Sequence, residues 1–155
     1  MNIRRAENKD IPRVLVLLTQ VVNIHHEGRP DLFGSVVKYT EKDLQKLFEN
    51  EKRPVFVATD DEDRTVGYIF LVLEKSKGHH LVPQKTLYID DLCVDRELRG
   101  THIGRALYEH ALSYARMKGC HCVTLHAWAL NPDAEGFYRH LGMQTRYTCL
   151  ETILS

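Results

Sequence analysis

The fold is decided by one segment of the chain, Leu92-Cys93-Val94-Asp95-Arg96-Glu97-Leu98-Arg99-Gly100-Thr101-His102-Ile103-Gly104-Arg105-Ala106-Leu107. In it a β-rich run ends at Val94, an Arg-Gly turn follows, and an amphipathic helix begins at Ile103. The first N–H groups of a helix have no partner within the helix, so the turn and the helix start offer several main-chain donors together. This arrangement predicts a site for an anion, most naturally a pyrophosphate.

Regular elements are predicted on both sides of this segment. On its C-terminal side they are a helix over 103–118, a strand over 122–128, a helix that follows Asn131 and ends before Gly142, and a closing strand over 143–154. On its N-terminal side they are a strand over 1–5, a helix from a cap at Asp10 to about residue 26, a short helix that Thr40 starts, and strands over 54–60, 65–74 and 86–94. The order β-α-α-β-β-β-α-β-α-β predicts an α/β fold with a mixed sheet and helices on both faces.

Composition limits the function classes. A chain of 155 residues without repeats or linkers predicts a single domain over 1–155. With 21 basic and 21 acidic residues, it has the charge of neither a general nucleic-acid binder nor a membrane-surface binder. No apolar run approaches the ~20 residues of a membrane span, and the N-terminus has no apolar signal region, so a cytoplasmic location is expected.

The four cysteines are expected to be free thiols, as is usual in the cytoplasm; they are Cys93, Cys120, Cys122 and Cys149. The run Cys120-His121-Cys122 lacks the CxxC spacing of a zinc site. In a strand it would also point its thiols and its imidazole to opposite faces. We therefore expect no metal.

The opening segment is not one of the two commonest phosphate loops. It has no Gly-Lys-Ser/Thr ending, so the lysine and the magnesium-binding hydroxyl of an NTP-binding loop are missing. It also has no GxGxxG spacing, because three residues separate Gly100 from Gly104.

The segment resembles instead the pyrophosphate loop of the GNAT superfamily, which transfers acetyl groups from acetyl-CoA to amines. The family pattern Arg/Gln-x-x-Gly-x-Gly/Ala is met by Arg99-Gly100-Thr101-His102-Ile103-Gly104, except that His102 replaces the first glycine. A second stretch, Asn131-Pro132-Asp133-Ala134-Glu135-Gly136-Phe137-Tyr138-Arg139-His140-Leu141-Gly142-Met143, is similar to the family signature N-x-x-A-x-x-F-Y-x-x-x-G-F/M. The resemblance implies a GNAT-like, mostly antiparallel central sheet that splays in its middle.

The resemblance also implies which residues bind acetyl-CoA. Main-chain groups of Leu92, Cys93 and Val94 would hold the pantetheine arm and the thioester carbonyl. The pyrophosphate would lie on the loop and helix start, at Arg99, Gly100, Thr101, His102, Ile103, Gly104 and Arg105. Asn131 and Phe137, from the second signature, would also contact the cofactor.

Acetyl transfer to an amine needs a base for the ammonium proton and an acid for the departing thiolate. By resemblance, Tyr138 is the candidate acid; its spacing alone would equally suit a core tyrosine on an apolar helical stripe. Asp90 and His126 are the candidate bases. Asp91 is expected on the opposite face of the strand from Asp90, unless a bulge changes the register. Cys93 could suggest a covalent acetyl-cysteine route, but direct attack in a ternary complex is favoured.

The acceptor is expected to be a primary amine of a small molecule or of a peptide or protein. The loop after the first helix is the candidate acceptor site, because it collects His25, His26, Arg29 and Phe33. The family is often dimeric, so a homodimer is an option. Two alternatives stay open: a non-catalytic acyl-CoA-binding module of the same fold, and a protein-interaction module.

Overall fold

The computed structural model describes residues 1–154. Its strands are β1 (Asn2–Arg5), β2 (Val55–Thr59), β3 (Thr65–Lys75), β4 (Lys85–Val94) and β5 (Cys122–Leu125). Its α-helices are α1 (Ile11–Gly28), α2 (Glu41–Phe48), α3 (Ile103–Met117) and α4 (Pro132–His140), and short 3-10 turns lie at Asn8–Asp10 and Arg96–Leu98. Within the described range, no helix is both long enough and apolar enough to cross a membrane.

The five strands form one mixed sheet in the order β1-β2-β3-β4-β5. The first four are antiparallel to their neighbours, and β5 is parallel to β4. All five residues of β2 are buried, which is typical of a strand covered on both faces. The predicted mixed, mostly antiparallel sheet is confirmed.

Helices cover both faces of the sheet, as predicted. On one face, α1 and α2 pack against Val57, Tyr68 and Phe70 of the central strands. On the other, α3 packs against Ile69 and Leu87. Each of these fully buried large side chains contributes about 1.5–3 kcal/mol to the free energy of unfolding.

The helix starts were predicted with mixed success. Thr40 caps α2, since its hydroxyl accepts the Asp43 N–H at 3.2 Å and the Asp43 carboxylate accepts the Thr40 N–H at 2.8 Å. Asp10 directly precedes α1 but makes no side-chain cap. Its buried carboxylate accepts hydrogen bonds from Arg4 and Thr65 instead, so it joins β1 to the start of β3. The first helix also runs on to Gly28, two residues beyond its predicted end.

The element order is confirmed up to α4, but the closing strand predicted over 143–154 is absent from the sheet. Within the described residues, no main-chain hydrogen bond joins 144–154 to another segment. The segment contacts β5 through a side chain, since Arg146 Nη1 lies 4.0 Å from Cys122 Sγ. A strand requires a neighbour at about 4.8 Å, and this segment has none.

Candidate active site

The candidate site begins at a one-residue bulge in β4. Opposite β3, Phe70 pairs with Asp91 and Leu71 pairs with Ile89, so Asp90 is the extra residue. Beyond the bulge the alternation of side chains is reversed, which moves Asp91 to the face that carries α1 and α2. Asp90 is bonded to Lys38 and Tyr39 of the loop between these helices, so both carboxylates serve the same side of the sheet.

The sheet opens where the bulge lies. The parallel pairing of β4 with β5 ends at Ile89 and Leu125, while β4 continues to Val94. The strands therefore splay, and the last five residues of β4 have no partner in β5. A cleft of about 780 Å³ fills the opening.

One end of the cleft is built by the turn and the start of α3. Gly100 and His102 both have left-handed backbone conformations, with φ values of 81° and 66°. His102 directly precedes the first turn of α3 and makes no side-chain cap, so the N–H groups of that turn stay available at the cleft. Arg99 and Arg105 line the same end, and their charges add to the positive end of the helix dipole.

Gly104 allows α3 and α4 to approach each other at the cleft. A Cβ atom at this position would lie 3.1 Å from Cζ of Phe137, which is tighter than ordinary van der Waals contact. The absence of a side chain at Gly104 therefore leaves the space in which the Phe137 ring packs against α3.

Asp91 lies on the floor of the cleft and accepts a hydrogen bond of 2.7 Å from the Tyr68 hydroxyl. Burial, helped by the negative charge of Asp90, raises the pKa of Asp91 to about 6. The Tyr68 hydrogen bond, His25 and Lys38 oppose this rise. A carboxyl group with this pKa is mostly ionised at neutral pH and accepts protons more readily than an ordinary aspartate.

Tyr138 and Cys93 share this part of the cleft. Burial raises the pKa of Tyr138 well above its usual value, and the nearby Asp91 and Cys93 raise it further, so the phenol keeps its proton. Burial likewise raises the pKa of Cys93 to about 12. A thiol with this pKa is a poor nucleophile at neutral pH, which disfavours the acetyl-cysteine route.

The two bases proposed from the sequence lie at the cleft walls. The Asp90 carboxylate is engaged by Lys38 Nζ at 3.0 Å and by the Tyr39 hydroxyl at 3.3 Å. His126 is exposed, and its Nε2 lies 3.1 Å from the Tyr147 hydroxyl. Both residues line the cleft, but each is already held by another group.

The loop after α1 contributes to the cleft in part. The Phe33 ring lies between His25 and Trp128, with ring centroids 4.8 Å and 4.9 Å away, and His25 and Trp128 line the cleft. His26 is turned away, because its Nδ1 bonds the Phe33 carbonyl at 2.7 Å. Arg29 is paired with Asp31 and Glu151 and does not line the cleft.

Most residues predicted to bind the cofactor meet at this one cleft; they are Leu92, Cys93, Val94, Arg99, Gly100, His102, Ile103, Gly104, Arg105, Asn131 and Phe137. Thr101 is the exception, since its hydroxyl bonds the Leu98 carbonyl within the turn. Sequence reasoning missed Asp91 as a site residue, although an acidic pair inside an apolar strand was a signal for it. It also missed Lys38, for which the sequence gives no signal.

Comparison with known proteins identifies the family and supports this description of the fold. Residues 18–143 match the model of the acetyltransferase (GNAT) family. The peptidyl-lysine N-acetyltransferase YjaB of Escherichia coli K12 is 28% identical over 144 residues, which cover 93% of this chain and 82% of YjaB.

Solved structures agree. A mutant of the BH1408 protein from Bacillus halodurans has a TM-score of 0.96 and 32% identity, and the match covers 100% of both chains. The aminoglycoside N-acetyltransferase AAC(6')-Iy, solved in complex with CoA, shares the fold with a TM-score of 0.73 over 99% of both chains, at 11% identity. The family model spans most of the sequence, and both signatures fall within it. The chain therefore belongs to the acetyltransferase (GNAT) family and is an acetyltransferase.

Proposed function

We propose that this enzyme transfers the acetyl group of acetyl-CoA to a primary amine by direct attack, with Asp91 as the base and Tyr138 as the acid. The observation that carries the proposal is the bulge at Asp90. It turns the Asp91 carboxylate toward the cleft that the Tyr138 phenol on α4 also lines. The pKa shifts leave the first group ionised and the second protonated at neutral pH.

The residues of the cleft suit acetyl-CoA. The free N–H groups at the start of α3, with Arg99 and Arg105, match the charge of a pyrophosphate. The unpaired end of β4, from Asp90 to Val94, offers main-chain groups to the amides of the pantetheine arm and to the thioester carbonyl. The same fold in AAC(6')-Iy, solved with CoA, supports this choice.

Asp91 is better suited than its neighbours to remove the proton of an ammonium group. An alkylammonium has a pKa of about 10.4, so an ordinary aspartate with a pKa near 3.9 is a weak acceptor for its proton. The pKa of about 6 at Asp91 brings base and ammonium closer by about two pKa units. Lys38 and Tyr39 occupy the Asp90 carboxylate, which leaves Asp91 as the carboxylate that can receive the proton.

The reaction then follows from this placement. Asp91 takes one proton from the ammonium group, and the nitrogen lone pair attacks the thioester carbonyl carbon. The carbon–sulfur bond breaks, and the phenol of Tyr138 gives its proton to the sulfur that leaves. The second proton of the amine leaves to solvent as the amide forms. Asp91 then releases its proton to solvent, and Tyr138 is reprotonated from solvent.

The acceptor we propose is the side-chain amine of a lysine in a peptide. The Asp91 carboxylate favours a cation at this end of the cleft, and the Trp128 ring, against which Phe33 packs, suits an alkyl chain. The name of YjaB, a peptidyl-lysine N-acetyltransferase, supports this acceptor class.

The test measures CoA release with a thiol reagent over a panel of amines. The panel holds an N-terminally blocked peptide with one lysine, the same peptide with arginine in its place, an unblocked peptide without lysine, and a small polyamine. We expect turnover with the first peptide and none with its arginine form. Turnover with only the unblocked peptide or the polyamine would refute the lysine acceptor. Calorimetric binding of acetyl-CoA without any release would show a non-catalytic module.

The roles of the two aspartates are separated by matched variants. Asp91→Asn is expected to lower kcat/KM about 10²-fold or more, and Asp90→Asn much less. A larger loss for Asp90→Asn, or for His126→Asn, would move the role of base to that residue.

A further inference from the structure

A second pocket lies outside the active-site cleft, on the face of the sheet that α1 and α2 cover. It has a volume of about 420 Å³ and is built by the end of the α1–α2 loop, by α2 and by the turn that follows α2. Its charged lining residues are three cations and one acid, namely Lys38, Lys46, Arg53 and Asp43. We call it the basic pocket, because this balance of charge favours an anion.

The one acid of the basic pocket is already used within the protein. The carboxylate of Asp43 accepts the main-chain N–H of Thr40 at 2.8 Å and so belongs to the cap of α2. Lys46 lies in the last turn of the same helix, and its amine forms no ion pair with any of residues 1–154. The charge of Lys46 is therefore available to a ligand.

Arg53 is held in place beside Lys46 by Tyr39. Its Nη2 atom donates a hydrogen bond of 3.1 Å to the Tyr39 hydroxyl, and the Tyr39 ring stacks on Phe70 with an interplanar angle of 2°. The Arg53 side chain is 40% exposed, and its guanidinium lies 4.0 Å from the Asp90 carboxylate, which is the limit of an ion pair. A guanidinium has five N–H donors, so Arg53 keeps several of them for a ligand.

A single ion pair separates the basic pocket from the active-site cleft. Lys38 lines the pocket, Asp90 lines the cleft, and Lys38 Nζ lies 3.0 Å from the Asp90 carboxylate. Asp91, the proposed base, is the next residue along β4, and neighbouring Cα atoms are about 3.8 Å apart. A peptide whose lysine amine reaches Asp91 can therefore place a flanking side chain in the basic pocket.

We propose that the basic pocket binds an aspartate or glutamate side chain of the acceptor peptide, close in sequence to the lysine that is acetylated. Lys46 and Arg53 bind this carboxylate. The inference rests on the proposed function, because it concerns the peptide that carries the acceptor lysine. The cleft then selects the amine, and the basic pocket selects among lysines by their neighbours.

A carboxylate on the peptide fits the basic pocket better than a free anion does. Lys46 and Arg53 are both accessible to water, so a small free anion would gain little from either cation. When the carboxylate and the lysine belong to one peptide, binding of the lysine raises the effective concentration of the carboxylate to about the millimolar range, and weak contacts suffice. An extended peptide advances by about 3.3 Å per residue, so acids within about four residues of the lysine are in reach.

The test uses N-terminally blocked peptides that contain one lysine and differ at one flanking position. Peptides with glutamate at each position within about four residues of the lysine are compared with their glutamine forms, and CoA release is measured. We expect kcat/KM to be roughly three- to tenfold higher for the best glutamate peptide than for its glutamine form, mainly through KM. The ratio should decrease as salt is added, because the charges are exposed.

Variants of the enzyme assign this preference to the basic pocket. Lys46→Glu should reverse it, so that arginine at the same peptide position gives a higher kcat/KM than glutamate, and Arg53→Gln should bring the glutamate-to-glutamine ratio close to one. Each ratio is taken within one variant, so a general change in activity cancels. The matched control is Arg116→Glu. Arg116 is also a basic residue in the last turn of a helix, but α3 covers the other face of the sheet, so the wild-type ratio is expected.

The possible results separate the basic pocket from the proposed function. Equal kcat/KM for the glutamate and glutamine peptides, or a preference that both pocket variants leave intact, would overturn the inference and leave the lysine acceptor in place. No turnover with any lysine peptide would refute the lysine acceptor, and the inference with it. Faster turnover of the glutamine peptide when inorganic phosphate or glutarate is added would assign the pocket to a free anion, which also overturns the inference.

Discussion

Replacing Asp91 with asparagine is expected to make the protein more stable and nearly inactive at once. The burial that raises the pKa of Asp91 to about 6 also penalises its charged form in the folded state. The rise from 3.8 to about 6 corresponds to about 3 kcal/mol, at 1.36 kcal/mol per pKa unit. Because the cleft admits water, we expect about 2–3 kcal/mol of this to be measured.

The pH dependence of the stability difference between Asp91→Asn and the wild type identifies its source. Below pH 3.8, Asp91 is protonated in both the folded and the unfolded chain, so asparagine brings no gain. Between pH 3.8 and about 6 the unfolded chain loses the proton while the folded chain keeps it, and the wild type loses stability relative to the variant. Above about pH 6 the variant exceeds the wild type by the full difference in free energy of unfolding. The amide oxygen of asparagine can still accept the Tyr68 hydrogen bond, so that contact does not obscure the comparison.

Urea unfolding of both proteins at pH 4, 5, 6, 7 and 8 measures this difference directly. Other titrating groups are common to the two proteins and cancel. The variant should be more stable by about 2–3 kcal/mol at pH 7 and nearly equal to the wild type at pH 4. Parallel curves, or a variant less stable at pH 7, would show that Asp91 has an ordinary pKa and would remove the reason for choosing it as the base. In the wild type, kcat/KM should fall as the pH drops below about 6.

Three further changes test single features of the cleft. Tyr138→Phe should lower kcat about 10²-fold and leave the acetyl-CoA dissociation constant within about twofold, since the lost proton is needed after binding; an unchanged kcat would exclude Tyr138 as the acid. His102→Gly should raise the free energy of unfolding by about 0.5–1 kcal/mol, because glycine adopts the φ of 66° without strain, and calorimetry should find acetyl-CoA binding as tight or tighter. A much weaker binding would instead show that the imidazole contacts the phosphates. Gly104→Ala should raise KM for acetyl-CoA several-fold with kcat little changed, because the new methyl group displaces Phe137; crystal density for an unmoved ring would contradict this reason.

The helices and strands could be predicted because short stretches of sequence determine them. Helical spacing marked α1 and α3, a capping box marked Thr40, and the run of β-branched residues marked β4. The turn before α3 was recognised from its glycines and arginine alone. Even so, the sequence could not show that His102 adopts the left-handed conformation that its family's glycine takes, because that depends on how α3 meets the cleft.

The ion pairs of the structure could not be predicted from the sequence. Lys38 and Asp90 are 52 residues apart, and Arg29 and Glu151 are 122 apart, so neither pair leaves a local pattern. Arg29 was therefore expected at the acceptor site, whereas its guanidinium is engaged by Asp31 and Glu151 away from the cleft. Asp10 shows the same effect, since partners on two strands take the carboxylate from its expected cap.

Two departures from strict strand periodicity matter most for function, and they share one cause: periodicity reports what a residue favours and not what it pairs with. Strict alternation places Asp91 opposite Asp90. One unpaired residue in β4 reverses that, and the register is set by β3, which is distant in sequence. In the same way, the composition of 143–154 correctly indicates strand-forming residues, while a single chain gives them no partner.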